Sequence, residues 1–178
     1  HPHVKLALKG GVPRDKVAIL SKTHASTAQE MRADLDRFRK ELGTDYIDMV
    51  LLHKMTTANW NVELKPCMDV LSEAREKGMI RSHGVSCHSL TAMQTAAKEP
   101  WVEIDFARLN PAQLHMDADP ATIVSVLKEM KAAGKGVVGM VAGQRVLVGN
   151  EKLLAEQRVK LGELGKRAAD RRAAGEAI

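Results

Sequence analysis

Aromatic residues are scarce in this 178-residue chain, which has two tryptophans, one tyrosine and two phenylalanines, 3% of the whole. A nucleic-acid surface stacks bases on aromatic rings set among basic side chains. The net charge of +5, from 27 basic and 22 acidic residues, is spread along the chain without such a stripe. It suits a phosphate-bearing ligand and excludes nucleic acid as the expected partner. Cysteine is nearly absent too. Cys67 and Cys87 match no zinc-ligand or redox-pair spacing, and two cysteines make no disulfide framework. A reducing, cytoplasmic setting is expected, with a leader upstream of His1 left open. No apolar run has membrane-spanning length and no signal-peptide core is present, so no membrane partner is expected. The glycine-rich signatures that cradle phosphates, G-x-G-x-x-G and the P-loop, are also missing after the first expected strand.

What is there has the composition of one globular domain, 44% hydrophobic and 28% charged. The chain is organised around Tyr46-Ile47-Asp48-Met49-Val50-Leu51-Leu52-His53. It follows a helix stop and turn at Leu42-Gly43-Thr44-Asp45, carries one charge, Asp48, and ends on a histidine. A near-continuous apolar run of this kind reads as a strand buried on both faces of a parallel sheet.

Shorter strands are predicted at Val17–Leu20, Ile80–Ser86, Val102–Leu109 and Gly136–Met140. The spacing predicts helices over Pro2–Leu8, from Ser26 or Thr27 to Leu42, over Leu64–Lys77 and Ser89–Lys98, and from Pro120 to about Ala133. Strand and helix thus alternate, with a strand start about every thirty residues, the pattern of right-handed βαβ units and a parallel sheet. The predicted fold class is α/β: about five parallel βα units of an incomplete (β/α)8 TIM barrel over residues 1–140. A divergent helical tail is expected over 141–178, charged and alanine-rich from Glu151 to Arg172. Five units would also suit an open doubly wound sheet. The strand ends favour the barrel, because Lys22, His53, Ser86 and Asn110 recur at one end of successive strands and would converge on one mouth.

These residues, with the runs Leu42-Gly43-Thr44-Asp45-Tyr46-Ile47-Asp48, Leu51-Leu52-His53 and Ile80-Arg81-Ser82-His83-Gly84-Val85-Ser86, together resemble the aldo-keto reductases from about Lys5 to Met140. The resemblance implies a barrel that reduces a small-molecule carbonyl, an aldehyde or ketone, by hydride transfer from a nicotinamide cofactor. NADPH is expected, with NADH as the alternative. Of the family's catalytic aspartate, tyrosine, lysine and histidine, it implies Lys22 and His53 here. Lys22 would favour the phenolate of the tyrosine that supplies the proton, and His53 would orient the carbonyl oxygen. Ser86, Cys87 and Asn110 fall at cofactor-binding positions.

The chain also departs from that pattern. The family's aspartate and tyrosine precede the stretch matching Lys5 to Leu8, so they are not expected here, and the fragment alone is expected to be inactive. Tyr46, the only tyrosine, opens its strand and stands more than about 20 Å from His53 at roughly 3.3 Å per residue. Cys87 stands where asparagine is usual and lacks an amide's paired donor and acceptor. Phe106 stands where many members have glutamine.

Two other readings compete. One is a metal-dependent barrel hydrolase, suggested by seven histidines and by His83, Cys87 and His88 lying close together, although no H-x-H pair ends a strand. The other is a non-catalytic remnant of a barrel enzyme. Trp60, in the loop after His53, is the candidate substrate-loop aromatic, and Trp101 is expected to pack on the opposite face. The sequence carries no sign of an oligomeric state.

Overall fold

A computed structural model describes residues 1–110, 113–141, 144–148 and 166. The elements in chain order are α1 (Pro2–Lys9), β1 (Leu20–Thr23), α2 (Ala28–Leu42), β2 (Ile47–Met55), α3 (Trp60–Glu63), α4 (Lys65–Glu76), β3 (Ile80–Cys87), α5 (Leu90–Lys98), β4 (Ile104–Phe106), α6 (Pro120–Ala132), β5 (Gly136–Val141) and β6 (Gln144–Val148). The strands lie in the order β1-β2-β3-β4-β5-β6. The first five pair in parallel, and β6 returns antiparallel on β5.

The predicted alternation is therefore present, with three corrections. The first strand begins at Leu20, because Arg14–Lys16 form a 3-10 turn before it. The fourth has three residues instead of eight. Gln144–Val148, placed in the expected helical tail, is a strand. The stretch from Glu151 to Arg172 lies outside the described residues, apart from Lys166.

Side-chain alternation along each strand sorts residues onto two faces. Val50, Leu52, Val85 and Cys87 join the large helix-side core with Met31, Leu35, Phe38 and Leu42 of α2, Leu71 of α4, Met93 of α5 and Ile123 of α6. Full burial of each such aliphatic side chain contributes about 1.5–3 kcal/mol. The opposite, inner face holds a smaller cluster of Met49, Leu51 and Ile104, with Ala18, Leu20 and Phe106 packed against it. Met49, Leu51 and Ile104 are at most 1% exposed.

Helix α2 is fixed at both ends. Thr27 and Glu30 form a capping box, and Gly43 closes the helix at φ 68°, a left-handed conformation that glycine adopts without a Cβ clash. The tight Leu-Gly-Thr-Asp turn then delivers β2. Asp48, 1% exposed, accepts from Arg14 at 2.7 Å, Arg81 at 2.8 Å and the Ile19 amide at 2.8 Å. The Tyr46 ring is sandwiched between the same two guanidinium groups, at 4.0 and 4.2 Å. The Tyr-Ile-Asp motif is thus a clamp that ties β2 to the approach of β1 and to β3 at their N-terminal ends.

Candidate active site

The opposite, C-terminal ends of the strands carry the candidate chemistry. Lys22 is in register with Leu51 and Gly84, and His53 with Ser86, so Lys22, His53 and Ser86 share the inner face. Just beyond His53 the ladder bulges, and Lys54 stands out at φ 65°. A side chain in that left-handed region costs about 1 kcal/mol, and the bulge redirects the chain at the mouth.

Lys22 is half-buried. Its ammonium donates to Ser86 Oγ at 3.3 Å and sits 3.9 Å from the centre of the Phe106 ring. Burial lowers its pKa, partly offset by the field of Asp105. No carboxylate lies within ion-pair distance of it among the described residues. His53 is pushed down to about 4, first by burial, then by the charge of Lys22 and by His24, His88 and Lys54. At neutral pH it is an uncharged imidazole, able to donate one hydrogen bond. Its Nδ1 lies 2.9 Å from His24 Nε2, and its ring meets His88 edge-on at 5.4 Å between centres.

Three expected site residues fall elsewhere. Cys87 is fully buried in the helix-side core, because alternation turns it away when Ser86 faces in. Its thiol lies against Asp105, and burial drives its pKa well up. Asn110 spends its amide on its own loop, donating to the Leu114 carbonyl at 2.9 Å and accepting from the Leu114 amide at 3.2 Å. Trp60 is no substrate-loop aromatic. It is 2% exposed, and its indole N–H donates to the Ala92 carbonyl at 3.3 Å.

Trp101 does pack, stacked on His83 at 4.3 Å and donating to Ser72 Oγ at 2.9 Å. His83 is thereby held apart from Cys87 and His88. Among the described residues no group of three or more histidine, cysteine, aspartate or glutamate side chains is arranged to hold a metal ion. The described helices include none long and apolar enough to cross a membrane.

Sequence reasoning missed His24 and Asp105. His24 lies two residues beyond Lys22, just past the end of β1, and a strand placed three residues too early hides that position. Asp105 is fully buried with neither carboxylate oxygen in a hydrogen bond of ordinary geometry, and burial raises its pKa to about 7. Its sequence signal is weak, because Glu103 and Arg108 share the predicted strand with it.

A parallel sheet with helices on one face, and an ammonium beside an imidazole at the C-terminal ends of β1 and β2, define a portion of a (β/α)-barrel enzyme site. The aldo/keto reductase family model matches residues 3–144, and the chain belongs to that family. It is 29% identical over 90 residues to methylglyoxal reductase DkgB of Escherichia coli and of Salmonella typhi, covering 49% of this chain and 33% of each relative. The chain thus spans about a third of the length of these curated relatives. Among solved structures it resembles an aldo-keto reductase of Bacillus halodurans in its holo form (TM-score 0.60, 19% identity, 77% of this chain and 46% of that one). It also resembles an aldo-keto reductase of Bombyx mori in complex with NADP (TM-score 0.56, 22% identity, 78% and 45%). These two show the shared fold.

Proposed function

We propose that the chain supplies the lysine and histidine of a carbonyl-reductase site that reduces a small aldehyde or ketone with a nicotinamide cofactor, NADPH before NADH. The observation that carries this reading is the pairing of Lys22 and His53 on the inner face, one a half-buried ammonium and the other a neutral imidazole. Family membership supports it, and the methylglyoxal reductase relatives favour a short carbonyl substrate. The residues fit a cofactor at this mouth. Lys22 has three donors and uses one on Ser86 among the described residues, and the Ser86 hydroxyl keeps its own proton to donate. When bound, the cofactor supplies hydride to the carbonyl carbon.

The chain's own residues manage the proton side. As charge grows on the carbonyl oxygen, His53 donates a hydrogen bond to it without bringing a second positive charge beside Lys22. Lys22 stabilises the conjugate base of the proton donor. Tyr46 is not that donor, since its ring is locked between Arg14 and Arg81 at the far end of β2. With Tyr46 excluded, residues 1–178 offer no tyrosine for that role, and NADPH-dependent reduction by these residues alone is expected to be negligible. The two free cysteines support a reducing, cytoplasmic setting as part of the proposal.

Steady-state kinetics on the full-length protein test it. Lys22→Met is expected to lower kcat by about 10² to 10⁴, the usual worth of general acid–base assistance, with KM changed only a few-fold. A rise in KM at constant kcat would remove Lys22 from the proton-transfer step. Robust reduction by residues 1–178 alone would show that they contain the proton donor.

A further inference from the structure

His53 has one proton to place when neutral, and its two ring nitrogens compete for it. Its Nδ1 lies 2.9 Å from His24 Nε2, with the ring centres 4.5 Å apart and the planes tilted by 60°. Imidazole nitrogens at that separation share one hydrogen between them, so one nitrogen donates and the other accepts. If His24 Nε2–H donates, the proton of His53 sits on Nε2, which has no partner among the described residues and is free to bond a ligand. If His53 Nδ1–H donates, its Nε2 carries only a lone pair and cannot donate to a carbonyl oxygen.

The first arrangement is favoured by the tautomer preference of His24, and a fixed backbone holds the pair in place. An exposed imidazole prefers its proton on Nε2, and His24 is exposed. The backbone around His24 is also held from both sides. Thr23 Oγ1 donates to Asp34 at 2.5 Å and accepts from the Ala25 amide at 2.9 Å, and the Ala25 carbonyl accepts the Cys67 thiol at 3.5 Å. A side chain on a fixed backbone selects one geometry for its partner.

We propose that His24 is a positioning residue that holds His53 as its Nε2–H tautomer, the form that donates to a substrate carbonyl oxygen. Its purpose rests on the carbonyl-reductase reading, but the tautomer does not. His24 acts through its hydrogen bond to His53.

Nitrogen-detected NMR of 15N-histidine-labelled residues 1–178 near pH 7 reads the tautomer directly. His53 is expected with its proton on Nε2. A coupling between His24 Nε2 and His53 Nδ1 should cross the hydrogen bond, with the bridging proton on His24. His24→Phe keeps a ring but removes the donor, and should shift His53 toward a tautomer mixture. His24→Gln, whose amide donates, should restore Nε2–H. The His83 signals, remote from this pair, report whether each variant keeps the fold.

A proton on His53 Nδ1 in the unmodified chain would overturn the proposal, as would an unchanged Nε2–H tautomer in folded His24→Phe. Should His24→Phe fail to fold, the coupling in the unmodified chain decides, and its absence counts against the proposal. In the full-length enzyme, His24→Phe should lower kcat by roughly two- to tenfold at nearly constant KM, the shift that one net hydrogen bond supports, with recovery in His24→Gln. The predicted tautomers in residues 1–178, together with a full-length protein that reduces no carbonyl, would sink the functional reading and leave the role of His24 standing.

Discussion

Lys22 and His53 were legible because they end apolar runs, and a polar side chain there has no core to enter. Cys87 shows where such reading stops. Adjacent strand residues point to opposite faces, so Ser86 and Cys87 cannot both line the mouth, and the helix-side core claims the thiol. Both cysteines are fully buried, and burial raises both pKa values, leaving little thiolate to react. Alkylation of native protein by iodoacetamide is therefore expected to be slow at Cys67 and Cys87 alike. It should become fast only on unfolding, and bound NADPH should protect neither thiol selectively. Fast labelling of Cys87 in the folded protein, blocked by cofactor, would return it to the mouth.

At the scale of elements, the five parallel strands and the longer helices followed from the sequence in existence and order, whereas α3, β6 and most boundaries did not. The Thr27–Glu30 capping box and Gly43 mark α2 chemically, so that helix is read almost to the residue. The first strand is misplaced because Val17, Ala18 and Ile19 look like strand residues. They lead into the sheet, and the ladder itself begins at Leu20. The fourth strand is shorter than its apolar run because only Ile104–Phe106 find partners in β3 and β5. Gly84 reveals how tightly that strand approaches. A Cβ built there would lie 1.9 Å from the Ile104 carbonyl oxygen and 2.8 Å from its carbon. Backbone cannot yield as a flexible side chain does, so Gly84→Ala should push β4 away and loosen the support for Phe106 under Lys22. A loss of about 3 kcal/mol or more is expected, at the upper end for overpacking, read as a shifted urea midpoint with an unchanged slope. A loss below about 0.5 kcal/mol, the range of ordinary surface changes, would show that β4 does not sit so close.

For the whole molecule, the buried titratable groups set how stability follows pH, and they pull in opposite directions. His83 is held neutral by burial against Trp101, its pKa lowered to about 4, and His53 is lowered to about 4 as well. Between about pH 4 and 6.5 the unfolded chain binds protons at these rings and the folded chain does not, so they make stability rise with pH. Asp105 does the reverse. Its pKa is raised to about 7, so between about pH 4 and 7 the folded state keeps a proton that the unfolded state has released. Stability from this group falls as pH rises through that window, and its cost is complete above it. The two trends oppose each other in the unmodified chain and should give a shallow profile. Asp105→Asn removes only the falling part. Its chemical-denaturation profile should climb from pH 4 to 6.5 and then level, with the gain over the unmodified chain growing toward pH 8. A gain independent of pH would mean that Asp105 is ionised in the folded protein throughout, with its charge compensated by Lys22 or Lys135, the two lysines whose pKa values its field raises.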